Sequence, residues 1–479
     1  MIFSRNKLEQ IAKERILILD GAMGAMIQRE PLTEDDFRGE RFRNHPLPLK
    51  GCNDLLCLTM PRVVSGIHEA YLKAGADIIE TCSFNATSLS LADYGLGDTA
   101  YEISAAAARL ARKAADAFST PDKPRFVAGS IGPTAKSASI APDLDDPKKR
   151  AVSWDELEEA YYNNARGLLD GGADIFLIET VFDTLNAKAA IFAARRLGRE
   201  RGVDLPIIVS ATVSDNGGRL LSGQNVEAFS VSALHANPLA LGLNCSFGAE
   251  KLKPYIAALS AAAPCLVSAY PNAGFPNQQG VYEQSPQSMA DLMEEYAREG
   301  LVNIVGGCCG STPDHIAEIS SRVEKYAPRV APEASKKIML AGLDAAEFNP
   351  EQAIANNGER GADSRHGEFN RLLKEGDYDG AVELILETVE NGAALINVRV
   401  DDTVPDAAEA VSRFLNIALQ YRDIARLPVM LDSSRWEVIE AGLKCLQGKG
   451  LVNAASLSGN KTELSRRLDL VQAYGAAVV

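Results

Sequence analysis

The stretch VNIVGGCCG (Val302–Gly310) decides the expected fold of the N-terminal part of this chain. It joins a short apolar, β-branched run to a glycine-rich turn that carries two adjacent cysteines. Seven runs of the same kind precede it, separated by alanine- and charge-rich stretches: Ile16–Met23, Ala76–Phe84, Arg125–Pro133, Ala173–Thr180, Pro206–Val213, Ala240–Ser246 and Cys265–Asn272. Apolar strands that alternate with helices, such as Tyr101–Phe118 and Trp154–Gly171, indicate a parallel sheet covered by helices. Eight such units predict a closed (β/α)8 TIM barrel.

Polar residues follow several of these runs at the point where the strand is expected to end. In a (β/α)8 barrel all strand carboxyl ends face one rim, and active sites are built there. Each residue alone could be an ordinary cap or turn residue, but clusters in one register predict a site on the rim. The clusters are Asp20, Glu80-Thr81, Glu179-Thr180, Asn244-Cys245 and Cys308-Cys309.

The bulk composition excludes several classes of function. The 479 residues carry a formal net charge of −15, whereas a nucleic-acid-binding protein needs a basic face. Neither a signal peptide nor an apolar run long enough to cross a membrane is visible. We therefore expect a cytoplasmic protein without a nucleic-acid or membrane partner, whose eight cysteines are reduced thiols or metal ligands.

Three cysteines form a candidate zinc site. Cys308 and Cys309 are adjacent and flanked by glycines, which allow the unusual turn that aims both sulfurs at one ion, and Cys245 ends a nearby strand. Three thiolates with an open fourth position are an established zinc arrangement. The alternative is that these are ordinary buried cysteines. Cys82, beside Glu80 on the rim, is interpreted as a substrate-pocket residue, and Cys52 and Cys57 as incidental.

A zinc site made of thiolates favours chemistry on a small thiol. Zinc lowers the pKa of a bound thiol, and the thiolate is the nucleophile that attacks a methyl group. A hydrolytic zinc would rather use histidine and carboxylate ligands, but none of the five histidines lies near these strand ends. A scaffold with a structural zinc stays an alternative, although closed structural sites use four protein ligands and only three are found here.

Six segments carry a resemblance to a known family: LDGAMGAMIQ (19–28), GADIIETCSFNAT (75–87), GSIGPT (129–134), IETVFDTLNA (178–187), GLNCSFGAE (242–250) and GGCCGSTPDHI (306–316). They resemble the homocysteine S-methyltransferase domain of the cobalamin-dependent methionine synthases, over residues 1–325. The resemblance implies a methyltransferase of methionine biosynthesis that uses Zn²⁺ to methylate homocysteine.

The same resemblance implies individual roles. Cys245, Cys308 and Cys309 match the zinc ligands, and Asp20 and Glu179 match the positions that hold the homocysteine ammonium. The segment Thr81, Cys82 and Ser83 matches the one that receives the substrate carboxylate, although the family often has asparagine at position 82. Asn244 is counted with the substrate-binding positions.

The second part of the chain is expected to be a partial domain. Residues 326–338 read as a linker with prolines and charges but no period. Residues 339–479 resemble the start of the family's pterin-binding (folate) barrel, through RFLNIA (413–418) and LPVMLDSSRWEVIEAGLKCLQGKGLVN (427–453). Its expected strands are Ala394–Val400, Pro428–Ser434, Leu451–Leu457 and Gly475–Val479, and its expected helices include Asp379–Asn391 and Pro405–Gln420. Four strands leave an incomplete second barrel, expected to dock on a second copy or a complementing subunit.

The pterin-like residues only partly match the family. Asp432 and Asn453 stand at folate-binding positions, but GERGAD (358–363) replaces Gly-Glu-Arg-Thr-Asn, and Asn397-Val398-Arg399 replaces Asp-Ile-Asn. These changes argue against tetrahydrofolate binding. The cobalamin signature Asp-x-His-x-x-Gly is absent from the sequence. We therefore expect a methylcobalamin donor carried by a separate polypeptide; the alternative is a sulfonium or betaine donor.

Overall fold

The computed structural model describes residues 5–143, 145–333, 337–348, 362–453 and 460–479. Most of GERGAD (358–363) and parts of the predicted linker and of the predicted strand 451–457 lie outside the described residues. No helix in the described ranges is both long and apolar enough to span a membrane.

The N-terminal part is an eight-stranded parallel barrel, as the repeated apolar runs predict. Its strands are Leu17–Ile18 (β1), Ile78–Glu80 (β2), Phe126–Ile131 (β3), Ile175–Val181 (β4), Ile207–Ala211 (β5), Ala240–Gly248 (β6), Leu266–Asn272 (β7) and Ile304–Val305 (β8). Each pairs in parallel with its neighbours in the order β1-β8-β7-β6-β5-β4-β3-β2. A single parallel bridge, Leu19 with Ile78, joins the two ends of this sheet and completes the ring.

Helices cover the outside of the barrel. They are Arg5–Glu14 (α1), Met23–Ile27 (α2), Glu34–Arg38 (α3), Leu56–Thr59 (α4), Pro61–Lys73 (α5), Ser88–Leu91 (α6), Ala100–Phe118 (α7), Trp154–Gly171 (α8), Thr184–Arg201 (α9), Val226–Ala233 (α10), Ala249–Ala262 (α11), Pro286–Arg298 (α12) and Pro313–Val323 (α13). Helix α8 has the bounds that the sequence predicts. It starts at a capping box in which the Ser153 hydroxyl accepts from the Glu156 N–H and the Glu156 carboxylate accepts from the Ser153 N–H.

Side chains fill the interior of the barrel. Alternate residues of the strands point inward and form one buried cluster that includes Leu17, Phe126, Leu177 and Ile304. The opposite faces of the strands pack against the helices in a second, larger cluster. Because the interior is filled, as in other barrels of this class, a ligand can enter only at the rim.

The C-terminal part forms what we call the sheet unit, the described residues from 337 to 479. It begins with an antiparallel hairpin, Ile338–Ala341 (β9) and Ala345–Phe348 (β10), which the sequence pattern did not predict. Four parallel strands follow in the order Ile396–Arg399 (β11), Val429–Asp432 (β12), Leu451–Val452 (β13) and Ala477–Val478 (β14). They lie inside the four predicted runs. Its helices are Ala362–Glu375 (α14), Tyr378–Glu390 (α15), Ala407–Ala418 (α16), Arg422–Ala425 (α17), Trp436–Leu443 (α18) and Lys461–Ala473 (α19).

The sheet unit packs on the side of the barrel. The ring of Tyr474 stacks between the barrel rings of Trp154 and Phe192, with centroid distances of 5.4 and 4.9 Å. The buried Lys188 ammonium on α9 donates to the backbone carbonyls of Leu446 and Gly448 at 2.7 and 3.0 Å. The two parts are therefore held together by aromatic packing and buried hydrogen bonds.

Candidate active site

A cavity of about 350 Å³ opens at the carboxyl rim of the barrel. Residues from seven strands and the loops that follow them line it, and among those described are all three cysteines of the predicted zinc site, together with Glu80 and Glu179. None of these lining residues is a lysine, an arginine or a histidine. The cavity therefore combines thiols and carboxyl groups with no cationic side chain among them, and it suits a cationic ligand.

The three predicted ligands lie together. The Sγ atoms of Cys245, Cys308 and Cys309 all lie within 4.8 Å of one another, and those of Cys245 and Cys309 are 3.8 Å apart. Two thiolates on a tetrahedral zinc with Zn–S bonds of about 2.3 Å would stand about 3.8 Å apart. The Cys245–Cys309 pair therefore has the spacing of two zinc ligands, and the third sulfur of this sulfur triad, as we call the three atoms, lies close enough to join them.

Local backbone geometry brings the sulfurs to one point. Cys245 and Ser246 have φ values of 60° and 58°, which turn strand β6 inward at its end. The Cys308 N–H donates to the Pro271 carbonyl at 2.8 Å, and the Cys309 N–H donates to the Asn272 side-chain carbonyl at 3.1 Å. Non-glycine residues in the left-handed region are strained, and such strain concentrates at functional sites.

The proximity of the sulfurs favours one thiolate and resists further ionisation, because hydrogen bonds from Cys245 and Cys308 lower the pKa of Cys309 to about 3. The pKa of Cys308 lies well above its usual range, because Cys245 and Cys309 stand beside it and because the thiol is buried. Three thiolates this close repel one another unless a cation lies between them. The triad therefore matches the donor chemistry of a metal site.

Three carboxyl groups form a second cluster on the same rim. One Asp20 oxygen accepts from the Glu80 N–H at 3.0 Å, while its other oxygen and one Glu80 oxygen are buried without a partner in the described chain. Burial raises the pKa of all three groups: Asp20 and Glu80 lie well above their usual range, and Glu179 rises to about 7. A buried ammonium would satisfy these carboxyl groups and restore their charge.

Asn244 on β6 forms hydrogen bonds to residues of β4 and β5 beneath the cavity. It is fully buried, accepts from the Thr180 N–H at 3.1 Å and from the Ser210 hydroxyl at 2.7 Å, and donates to the Thr180 hydroxyl at 2.8 Å. Its amide also points toward the Cys308 sulfur at 3.9 Å. The β-branched Thr180 has a φ of 54°, and these bonds hold it in that strained conformation.

The segment Thr81–Ser83 directly follows β2, and its residues Thr81 and Cys82 line the cavity. Its Thr81 and Ser83 N–H groups already donate to the carbonyls of Ala128 and Thr81. This leaves the N–H groups of Cys82 and Phe84 as the donors here that have no acceptor in the described chain. The buried Asp54, whose pKa burial raises to about 6, accepts from the Asn85 N–H behind this segment.

The structure brings most of the predicted site residues together and adds others. Asp20, Ser83 and Asn244 support the cavity from below, whereas Thr81, Cys82, Glu179 and the three cysteines line it. The sequence analysis named Glu80 only as a rim residue, and it missed Asp54, Ser130, Tyr270 and Tyr282, which also line the cavity. Position at a strand end could have indicated Ser130 and Tyr270, but Asp54 and Tyr282 come from loops without such a signal.

The predicted folate residues lie in the sheet unit, away from this cavity. Asp432 ends β12, and Asn453 directly follows β13 and donates its N–H to the Leu431 carbonyl at 3.1 Å. Arg399, the register partner of Asp432 on β11, places its Nε 3.8 Å from the Asp432 carboxylate. A guanidinium thus lies beside the carboxylate that the sequence resemblance assigns to the pterin.

Comparison with known proteins agrees with this architecture. Residues 17–323 match the family model "Homocysteine S-methyltransferase", and residues 366–479 match "Pterin binding enzyme". Among solved structures, the metallated and oxidised forms of the homocysteine methyltransferase MmuM from Escherichia coli each align with a TM-score of 0.52 at 24% identity. Each alignment covers 67% of this chain and 100% of the other, and shows a shared fold. Because the first family model covers more than half of the chain, the protein is a methyltransferase that belongs to the homocysteine S-methyltransferase family.

Proposed function

We propose that the protein transfers a methyl group to the sulfur of homocysteine and gives methionine, with Zn²⁺ held by Cys245, Cys308 and Cys309. The observation that carries the proposal is the sulfur triad, with its three Sγ atoms within 4.8 Å of one another at the wall of a cavity that also holds carboxyl groups. A thiol and an ammonium on one small molecule would meet both clusters.

The carboxyl cluster supports an amino-acid substrate. Asp20 and Glu179 would accept hydrogen bonds from the homocysteine ammonium, and the unpartnered oxygens of Asp20 and Glu80 are the acceptors available for it. Ion pairs with full hydrogen bonding compensate the cost of burying such charges. Glu80 is thus an addition to the ammonium-binding residues that the sequence indicates.

The segment Thr81–Ser83 supports binding of the substrate carboxylate. The N–H groups of Cys82 and Phe84 would donate to it, since the neighbouring N–H groups of Thr81 and Ser83 are already used. Thr81 and Ser83 orient the segment through a hydrogen bond between their hydroxyls at 2.6 Å. Asn244 would act through Thr180 and the Cys308 sulfur, by fixing their positions.

The reaction needs a thiolate at neutral pH. Zinc, when bound, lowers the pKa of the substrate thiol so that it enters as a thiolate and releases its proton to solvent. The homocysteine sulfur then attacks the methyl carbon: the new S–C bond forms while the bond between the methyl group and the donor breaks, and that bond's electron pair leaves with the donor. The carboxyl groups of the cavity hold the ammonium, and the backbone N–H groups of Cys82 and Phe84 hold the carboxylate, so that the sulfur faces the rim.

The methyl donor in this proposal is methylcobalamin on a separate polypeptide, which would present its methyl group at the rim. The cavity itself favours a second candidate, a small sulfonium or betaine donor, because its lining residues are acidic or neutral and would accept a cation. Tetrahydrofolate is not proposed as a direct donor, because Arg399 faces Asp432 at the pterin-like edge.

Parallel turnover assays with zinc-loaded protein separate these proposals. Methionine formation from homocysteine and methylcobalamin would support the first donor, and formation from S-methylmethionine or betaine alone would support the second. If the protein binds zinc stoichiometrically but forms no methionine from any of these donors, a scaffold with a structural zinc replaces the enzyme.

A further inference from the structure

The loop between β7 and α12 forms a flap, which we define as Gly274–Gln284. Pro276 and Tyr282 form an antiparallel bridge, and the Asn277 N–H donates to the Val281 carbonyl at 2.8 Å. The Asn277 side-chain oxygen also accepts from the N–H groups of Gln279 and Val281 at 2.9 and 3.0 Å. The flap is thus a small hairpin with its own hydrogen bonds, placed at the mouth of the cavity.

The inner end of the flap lies against the segment that carries two of the cysteines. Tyr282 lines the cavity with the sulfur triad, and it packs on Gly310, the residue after Cys309. A Cβ atom on Gly310 would lie 2.2 Å from the Tyr282 Cβ, and Gly310 has a φ of +81°. Glycine is therefore required at position 310 for Tyr282 to approach this closely.

The first residues of the flap contact a residue close to Cys245, the third cysteine of the triad. The Phe275 ring contacts the ring of Phe247, two residues after Cys245, with a centroid distance of 5.8 Å. The Lys251 ammonium lies over both rings, 4.7 Å from the Phe275 centroid and 5.7 Å from that of Phe247. Phe275 nevertheless keeps 50% of its surface exposed, so this contact lies on the outside of the protein.

The base of the flap joins it to the cysteine-bearing backbone. The Ala273 N–H donates to the Cys309 carbonyl at 2.9 Å, and the Gln284 carbonyl is bonded to the His315 ring at 2.9 Å. The flap thus connects both chain segments that supply the sulfur triad, through Phe247 on one side and Gly310 on the other. Two of its residues, Gly280 and Tyr282, line the cavity together with the triad.

We propose that this flap is a cover for the metal centre and that Tyr282 is a positioning residue within it. The inference rests on the proposed function, because it assigns the triad a bound zinc ion. The Tyr282 ring on Gly310 and the Phe275–Phe247 contact keep the flap closed, so that the ion and the substrate thiolate exchange with solvent only when the flap opens. The ring of Tyr282, rather than its hydroxyl, makes the contact with Gly310.

Zinc release to an excess of a chromogenic chelator tests the cover. The tilted ring contact of Phe275 with Phe247 stabilises a closed state by about two- to tenfold in population, and we expect a similar contribution from the packing of the Tyr282 ring on Gly310. Zinc should therefore leave Tyr282→Ala and Phe275→Ala about two to ten times faster than it leaves the wild type. Tyr282→Phe keeps the ring contact with Gly310 but loses the hydrogen bond between its hydroxyl and Cys309, so zinc should leave it faster than the wild type and more slowly than Tyr282→Ala.

A matched control lies in the loop after β5, at the same end of the barrel. Leu221 is 62% exposed, and Leu221→Ala should leave the release rate unchanged. Equal rates for the wild type and both alanine variants, or a Tyr282→Phe rate as fast as that of Tyr282→Ala, would overturn the cover. A wild-type protein that binds no zinc would instead overturn the proposed function, so the two failures are distinguishable.

Discussion

The barrel and the sheet unit are built from the same strand–helix repeat, yet the barrel has a cavity of about 350 Å³ at its strand ends, whereas a cavity of the sheet unit, between β9 and β12, holds only about 20 Å³. In the barrel, the bridge between Leu19 and Ile78 closes the ring, so that polar residues at the strand ends face one another across the rim. In the sheet unit, four strands leave the corresponding residues side by side on an open edge, where Arg399 and Asp432 face each other. Closure of the sheet, more than the choice of polar residues, therefore creates a site.

The two parts also differ in how they bury apolar surface. The barrel fills its own interior, with residues such as Leu177 and Ile304 packed at its centre. The sheet unit instead uses the barrel as a support, because Tyr474 packs against Trp154 and Phe192. We therefore expect the barrel to be the more stable part and the sheet unit to depend on this contact.

The largest expected effect is on the sulfur triad of the barrel. Cys308→Ala should lower methyl transfer by more than about a thousandfold, because metal ions contribute several kcal/mol to the transition state. Zinc content should fall with activity, while the circular dichroism spectrum and melting temperature stay close to those of the wild type. The control is Cys265→Ala, at the opposite end of β7, which should keep zinc and turnover. Stoichiometric zinc and full turnover in Cys308→Ala would show that the ligands are assigned wrongly.

The second effect concerns the contact between the two parts. Tyr474→Ala should weaken docking of the sheet unit by about 3 kcal/mol, since it removes a buried aromatic ring. Limited proteolysis should then cut faster within 326–337 or in the sheet unit and leave a resistant fragment of about the first 325 residues. Tyr421→Ala is the matched control, because that ring is 43% exposed, and it should leave the cleavage rate unchanged. An unchanged rate for Tyr474→Ala would mean that the sheet unit is stable by itself.

The third effect is on the pH dependence of substrate binding at the barrel rim. Burial raises the pKa of Glu179 to about 7, and only its carboxylate form attracts an ammonium. The KM for homocysteine should therefore rise as pH falls below about 7, by about tenfold per unit. The Ser130 hydroxyl donates to Glu179 and lowers its pKa. In Ser130→Ala, the pH below which the KM for homocysteine rises should therefore be higher by about one unit. If the pH dependence of KM is the same in Ser130→Ala as in the wild type, Glu179 is not the titrating group.

The smallest expected effect is at the open edge of the sheet unit. Asp432→Ala should change methyl transfer from methylcobalamin to homocysteine by less than about twofold, because Asp432 lies in the sheet unit, away from the cavity that the sulfur triad lines. Calorimetric titration with tetrahydrofolate should show no binding by the wild type. A loss of activity greater than tenfold in this variant would show that the edge takes part in the reaction and would remove the contrast between the two parts.

The sequence predicts the repeated strands and the convergence of Cys245, Cys308 and Cys309 well, for a physical reason. Strands buried on both faces must be continuous apolar runs, and Cys308 and Cys309 stand within glycines that no ordinary strand end needs. The β9–β10 hairpin was not predicted, because Ile338–Ala341 and Ala345–Phe348 are short and lie outside the strand–helix repeat.

The residues that the sequence did not reveal are those placed by distant contacts. Tyr282 reaches the cavity only because the flap folds back onto Gly310, and Asp54 only because its loop packs behind Cys82. Neither position has a local pattern that marks it. The residues 326–333 read as a linker, but Arg329 is buried and donates to the carbonyls of Ser260, Ala263 and Cys265, which sequence composition could not show.

The most direct measurement of the central claim is zinc K-edge X-ray absorption on the wild-type protein, with and without homocysteine. The account predicts three sulfur ligands and one lighter ligand in the free protein, and four sulfur ligands at about 2.3 Å once homocysteine is added. A proton should be released at the same time, because the substrate enters as a thiolate. A spectrum that does not change on addition of saturating homocysteine, or a protein that holds no zinc, would contradict the account.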